Sequence, residues 1–172
     1  MSRYRAPPPG SSPLITAAGH ARLKAEFEQL WRQRRPEVVR ALSAAAAEGD
    51  RSENAEYQYR KKELREIDAR LRYLTTRLEQ VQVVADTPAD HSRIYFGAWV
   101  AVRDGQGVLR RWRIVGADEM DPRQGHISVD APVARALLGR AAGEEVRVQL
   151  PGGDSVLVVE AVRYGSAPDD WE

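Results

Sequence analysis

The sequence predicts an α+β protein in two parts: an N-terminal antiparallel α-helical coiled-coil hairpin and a C-terminal small β-sheet domain with one short helix. Three observations carry this expectation. Leu64, Ile67, Leu71, Leu74, Leu78 and Val81 recur at steps of 3, 4, 3, 4 and 3, an a/d seam that needs a partner helix to cover it. Gly49-Asp50 separates that seam from a second run of helical spacing, and two helices joined by a short turn lie antiparallel. From Ile94 onward the pattern changes to β-rich runs punctuated by glycine turns.

Taken in order, residues 1–13 contain Pro7, Pro8, Pro9 and Pro13, two arginines and almost nothing apolar, and read as a disordered tail. Thr16 can cap a helix starting near Ala17, in which Leu23, Phe27 and Leu30 and then Val38, Leu42 and Ala45 keep helical spacing. Pro36 either kinks this helix or occupies the first turn of a second segment. Ala44 to Ala47 favour helix while adding almost no width, so this end of the rod is slender. Gly49 tolerates the left-handed cap that ends a helix. The second helix is expected from about Ser52 to Val84, roughly 45–50 Å long at 1.5 Å per residue. Residues 14–84 thus form the hairpin, and the polar stretch 85–93, with Pro88, the linker.

A strand is expected over 94–102, turning at Asp104-Gly105-Gln106-Gly107 into a mate at 108–115. A short strand at 126–129 and a helix at 132–138 follow, the helix with proline in its first turn and Gly139 at its end. Val146, Val148 and Leu150 alternate before Pro151-Gly152-Gly153-Asp154 turns the chain into a strand at 155–164. The second domain spans 94–165, near the lower size limit for independent stability, and 166–172 is a tail.

Composition narrows the function classes. Hydrophobic residues make up 42% of the 172 residues, enough for a core. The absence of cysteine excludes disulfides and cysteine-ligated zinc and fits a reducing compartment. No apolar run approaches the ~20 residues of a membrane span, and the proline-rich start is no secretory signal, so a cytoplasmic protein without membrane contact is expected. Residues 14–84 hold 14 basic and 11 acidic side chains, whereas residues 94–172 hold 9 and 12, so the two parts carry opposite signs.

The chemistry concentrates where the helices meet. Asp50 and Glu53 stand three residues apart at the hairpin turn. That spacing is a capping box, which satisfies backbone N–H groups at a helix start. It is also a pair of carboxylates able to share a divalent cation, if another macromolecule completes the shell. Behind them lie Arg60, Lys61, Lys62, Arg65, Arg70, Arg72 and Arg77, with Lys61, Arg65 and Arg72 on one helical face at spacings of 4 and 7. Such a face is commonly solvated and paired with Glu63, Glu66 and Asp68, but the excess of cations can follow a phosphate backbone, with Tyr57, Tyr59 and Tyr73 interleaved. Gly105-x-Gly107 is a hairpin turn and not a phosphate loop, and His20, His91 and His126 belong to no ligand motif.

Gly49-Asp50-Arg51-Ser52-Glu53-Asn54-Ala55-Glu56-Tyr57-Gln58-Tyr59, followed by Lys61-Lys62 and Leu64-Arg65-Glu66-Ile67-Asp68, closely resembles the Gre transcript cleavage factors of bacteria. Arg51, Tyr59, Lys61-Lys62 and Arg72-Tyr73-Leu74 look like its GreB branch. The resemblance extends through Phe96-Gly97-Ala98, Arg113-Ile114-Val115-Gly116, Ile127-Ser128-Val129-Asp130 and Pro132 to Gly139, so it covers roughly residues 14 to 165. It implies a coiled coil that enters the secondary channel of RNA polymerase. Asp50 and Glu53 would there help to hold Mg2+ at the polymerase active site, with no cofactor tightly bound to the free, monomeric protein. The polymerase would then hydrolyse backtracked RNA near the nascent 3′ end. The same resemblance implies RNA contact by Lys61, Lys62 and Arg65, an FKBP-like fold for the second domain, and docking on the polymerase through Asp130, Pro132 and Arg135. A regulator that occupies the channel without promoting cleavage is the alternative. A peptidyl-prolyl isomerase, suggested by the FKBP-like fold, would need an aromatic-lined pocket that the few aromatics of the second domain are poorly placed to provide.

Overall fold

The structure is a computed structural model that describes residues 7–8, 10–48, 54–150 and 152–166. The chain divides into two compact units, one comprising 20–81 and the other the segments on either side of it.

The first unit is the helical hairpin. Helix α1 (Ala17–Gln29) starts beside Thr16, whose hydroxyl accepts the N–H of Gly19 at 3.0 Å, the cap expected from sequence. Leu30–Arg34 then form a π-helical turn that runs without a break into α2 (Arg35–Ala47). Arg35 N–H reaches back five residues to the Leu30 carbonyl. Pro36 lies within this continuous helix, and the widened turn just before it accommodates the N–H that proline lacks. Helix α3 (Ala55–Gln80) is the long arm. Its seam is buried as the 3-4 spacing requires: Ile67 and Leu71 meet Val38, with Phe27, Leu30 and Leu64 packed half-buried around them.

The second unit holds two sheets. Strand β1 (Leu14–Thr16) pairs in parallel with β2 (Gln82–Val84), with Ile15 opposite Val83. The sequence places all of 14–84 in the hairpin, and the structure corrects that boundary. Val83-Val84, expected at the end of the second helix, pairs with Leu14-Ile15 instead. Residues 10–13, expected to be disordered, are held as well. Ser12 N–H donates to the Asp130 carboxylate at 2.8 Å, and the Pro13 carbonyl accepts Gln82 N–H at 2.8 Å. The rest of that tail, residues 1–6 and 9, is outside the described residues.

The larger sheet is mixed, in the order β5-β4-β3-β7-β6. Its strands are β3 (Trp99–Asp104), β4 (Leu109–Val115), β5 (His126–Ser128), β6 (Glu145–Leu150) and β7 (Gly153–Arg163). Strands β4 and β5 run parallel, and the other neighbours are antiparallel. A bulge in β7 takes up Glu160 between the pairs Ala101–Ala161 and Val102–Val159. Helix α4 (Pro132–Leu137) sets Ala134 and Leu137 into a core with Ile94, Val100, Val102, Ile114, Leu157 and Val159. The apolar run 94–98, read as strand, is not one: Gly97 takes a φ of 86°, and Ile94 enters the core from the loop before β3.

One buried carboxylate organises this unit. Glu119 is 5% exposed and accepts the N–H groups of Gly116 and Thr16 at 2.9 Å each, together with the Thr16 hydroxyl. A Cβ at Gly19 would overlap the Glu119 side chain, so that position has room only for glycine. The start of α1 is thereby fastened to the turn that follows β4.

Candidate functional site

Helix α2 ends in four alanines, and Glu48 closes it by donating its N–H to the Ala45 carbonyl. Helix α3 opens on Asn54. Its Oδ1 accepts Tyr57 N–H at 3.0 Å, and its Nδ2 donates to the Ala45 carbonyl at 2.8 Å. A single amide side chain therefore satisfies an orphan N–H at the start of one helix and a terminal carbonyl of the other, and ties the two ends together. The N-cap role that the Asp50-x-x-Glu53 spacing offered belongs to Asn54, and α3 begins three residues later than about Ser52, where the sequence starts it. Asp50 and Glu53, with Gly49, Arg51 and Ser52, lie outside the described residues. Among the described residues no group of three or more His, Asp or Glu side chains gathers as a metal site.

The seven basic side chains of α3 separate into two sets. Arg70 is locked to Glu26 of α1 in a two-pronged pair, Nε to Oε1 at 2.6 Å and Nη2 to Oε2 at 2.7 Å. Arg60 pairs with Glu56 at 2.7 Å and with Glu63 at 3.0 Å, and these bonds raise its pKa above the usual arginine value. Arg34 also bonds Glu63, and its pKa rises for the same reason. Arg77 is buried, at 7% exposure. Arg60, Arg70 and Arg77 are part of the hairpin's own framework. Lys61, Lys62, Arg65 and Arg72 remain on the surface. Lys62 lies 3.9 Å from Glu66, and Lys61 stands 5.8 Å over the Tyr57 ring. Lys61, Arg65 and Arg72 have no ion-pair partner among the described residues. Their spacing keeps them on one stripe, about 16 Å from first to last.

In the other unit, Asp130 is half-buried. It accepts Ser12 N–H and lies 3.6 Å from Arg135, so of the three expected docking residues only Pro132 and Arg135 present open surface. Pro132 starts α4, where its missing N–H is not needed.

Two functional supports escape a reading of the sequence. Asn54 follows a stronger-looking capping pattern and is overshadowed by it. Glu119 acts on Thr16 across about a hundred residues, and no local pattern signals such a partner.

A cation-striped helical hairpin in one unit and a small mixed sheet in the other define a class of protein with one slender helical part and one sheet platform. Two family descriptions match it in order. "Transcription elongation factor, N-terminal" covers residues 13–83, and "Transcription elongation factor, GreA/GreB, C-term" covers residues 89–164. The chain belongs to the GreA/GreB family of transcription elongation factors. It is 58% identical over 167 residues to transcription elongation factor GreB of Xanthomonas axonopodis pv. citri, covering 96% of this chain and 99% of that one. The GreB of Pseudomonas aeruginosa is 54% identical over 168 residues, covering 98% and 100%. That of Pseudomonas putida is 50% identical over 155 residues, covering 90% and 96%. The GreB branch read from Arg51, Tyr59, Lys61-Lys62 and the Arg72–Leu74 run is the one these relatives bear in their names. No helix among the described residues is long and apolar enough to cross a membrane.

Proposed function

We propose that this elongation factor enters the secondary channel of bacterial RNA polymerase with its hairpin and stimulates the polymerase's own endonucleolytic cleavage of backtracked nascent RNA. On this reading the chain is not an enzyme by itself. Asp50 and Glu53 in the connection between α2 and α3 complete a reaction centre that belongs to the polymerase. Their carboxylates are hard oxygen donors of the kind Mg2+ takes, and two are too few for its octahedral shell, so the remaining ligands must come from outside the chain. When bound there, Mg2+ supplies charge neutralisation and an activated water for phosphodiester hydrolysis. The chain's own part is to carry the acids on a narrow support and to bring them in from a distance.

The observation that carries this reading is the double role of Asn54. Asn54 fills the N-cap of α3 and ties the end of α2 to it, so the capping role that the Asp50-x-x-Glu53 spacing offers is supplied by another side chain. Lys61, Lys62 and Arg65 sit within about the first three turns of α3, where they can meet the phosphates of an extruded RNA 3′ segment. Pro132 and Arg135, steadied through Asp130, are the docking contacts on the polymerase.

The test is the double variant Asp50→Asn, Glu53→Gln in stalled elongation complexes. The expected result is a normal far-ultraviolet circular dichroism spectrum and parental polymerase binding, with RNA cleavage lost by at least about a hundred-fold, as when charged groups at a reaction centre are removed. Cleavage at the parental rate would overturn the catalytic role of the acids. It would leave the chain as a regulator that occupies the channel without promoting hydrolysis.

A further inference from the structure

The flank of the hairpin carries a groove that the proposed cleavage role does not use. It has a volume of about 550 Å³, and Phe27, Trp31, Arg35, Asp68, Leu71 and Arg72 are among its walls. Three independent observations meet there. Trp31 is 54% exposed, whereas Phe27 and Leu30 beside it pack against the hairpin core, and it sits in the π-helical turn Leu30–Arg34. Widened turns of this kind are enriched at functional positions. One face of its indole is backed by the Arg35 guanidinium, 5.8 Å from the ring centroid, and Arg35 is itself held by Asp68 at 2.8 Å. Arg72, also lining the groove, is exposed and without an ion-pair partner among the described residues, and it is the far end of the stripe that starts at Lys61 and passes Arg65.

We infer that this groove is a stacking site for a base of single-stranded RNA, with Trp31 as the platform and Arg72 as the phosphate contact. The inference rests on the reading of Lys61, Lys62 and Arg65 as RNA contacts and extends their track away from the helix ends. Charge complementarity selects the occupant. The groove's apolar residues, Phe27 and Leu71, suit a flat apolar face. Around them the cations Arg35 and Arg72 outnumber the single carboxylate, Asp68, which is already committed to Arg35. A polyanion with an aromatic face at each repeat meets both requirements, and every base can stack irrespective of sequence. The stripe from Lys61 to Arg72 is about 16 Å long, room for about five stacked nucleotides at ~3.4 Å each.

The experiment is a fluorescence-anisotropy titration of the full chain with a labelled oligouridylate of about twelve nucleotides, repeated at several salt concentrations. Trp31→Ala should weaken binding about ten-fold while leaving the slope of log affinity against log salt unchanged, because stacking releases no counterions. Trp31→Phe should restore most of the loss. Arg72→Ala should lower that slope by roughly 0.7, the value for one phosphate on a single strand. Circular dichroism of each variant checks the fold. Parental affinity in Trp31→Ala, or a Trp31→Phe variant as weak as Trp31→Ala, would overturn the stacking site. Lys61→Ala with Lys62→Ala separates the two levels: if this pair weakens binding and Trp31→Ala does not, the groove is wrong and the basic patch stands. If the parent chain does not bind the oligouridylate, both fall. A glutamate peptide of about the same length that binds the parent chain and loses affinity equally in Trp31→Ala would replace the nucleic acid by an acidic protein segment and overturn the assignment.

Discussion

In the sheet unit, Ile94, Val100, Val102, Ile114, Leu137, Leu157 and Val159 are all at most 1% exposed and share one cluster behind α4. In the hairpin, a small cluster of Val38, Ile67 and Leu71 has Phe27, Leu30 and Leu64 half-buried around it, and Leu23, Ala45 and Leu74 are buried elsewhere along the helices. Two helices alone have no third layer to close over their seam, so solvent reaches its margins. What the hairpin lacks in burial it takes up in charge. Arg70 grips Glu26, Arg35 grips Asp68, and Arg34 grips Glu63, each across the helix pair. The sheet unit resists deformation through volume exclusion, whereas the hairpin is kept narrow and laced along its sides. Interhelical ion pairs fasten the two helices without adding girth.

This contrast can be broken by experiment. Leu157→Ala should cost the sheet unit about 3 kcal/mol, the usual penalty for emptying a closed core, in denaturant unfolding followed by Trp fluorescence. Leu71→Ala should cost about 2 kcal/mol, because solvent and Phe27 can relax into the groove beside it. Equal losses in the two variants would mean that the hairpin seam is as closed as the sheet core. Asn54→Ala should remove about 1 kcal/mol and speed hydrogen exchange at the Tyr57 amide, while sheet amides stay protected. No change at Tyr57 would show that the helix ends are held by something else. Glu26→Gln should cost about 0.5 kcal/mol at low salt and nearly nothing at high salt, since the pair with Arg70 is partly screened. A loss that persists in salt would mark that pair as packing and not charge.

The smallest effect sharpens the comparison from the other side. The Asp104 carboxylate accepts the N–H of Val108 and of Gln106 and faces Arg110, which together hold its pKa below the ordinary 3.8. A lowered folded pKa means that the stabilisation is fully present above the ordinary value and fades as pH falls through the folded one. The amides of the turn after β3 should therefore lose protection, relative to the intrinsic exchange rate at each pH, in acid, and Asp104→Asn should remove that pH dependence. If the turn is as protected in strong acid as at neutral pH, the carboxylate does not hold it.

Much of the hairpin is legible in the sequence because a period of 3.5 is a local property: the buried positions Ile67, Leu71 and Leu74 of α3 are ones its seam spacing marks. The turn at Asp104, the helix opening on Pro132 and the cap at Thr16 are local as well, and the chain shows all three. What escapes is what only folding brings together. Arg70 looks like a member of a surface patch because Glu26, which claims it, lies in another helix. Val83-Val84 looks like a helix end because a three-residue strand is too short to display alternation. The loop 94–98 resembles a strand for a related reason: burial from a loop produces the same apolar run as burial from a strand. Of the site, the exposed cations can be found by spacing, whereas the role of Asn54 shows only once the Ala45 carbonyl is seen beside it.

The parallel pairing of β1 with β2 has a consequence for how the chain becomes native. The hairpin contacts are made between segments joined by a short turn, so they can form early and at low loop-closure cost. Ile15 and Val83, separated by the whole excursion, are costly to join in an extended chain. Once the two helices have zipped, their outer ends arrive side by side and the clasp needs little more than the ordering of its last residues. Assembly order is thus written into the topology, and the same clasp marks the two splice points at which one family member's finger could be exchanged for another's without cutting either module.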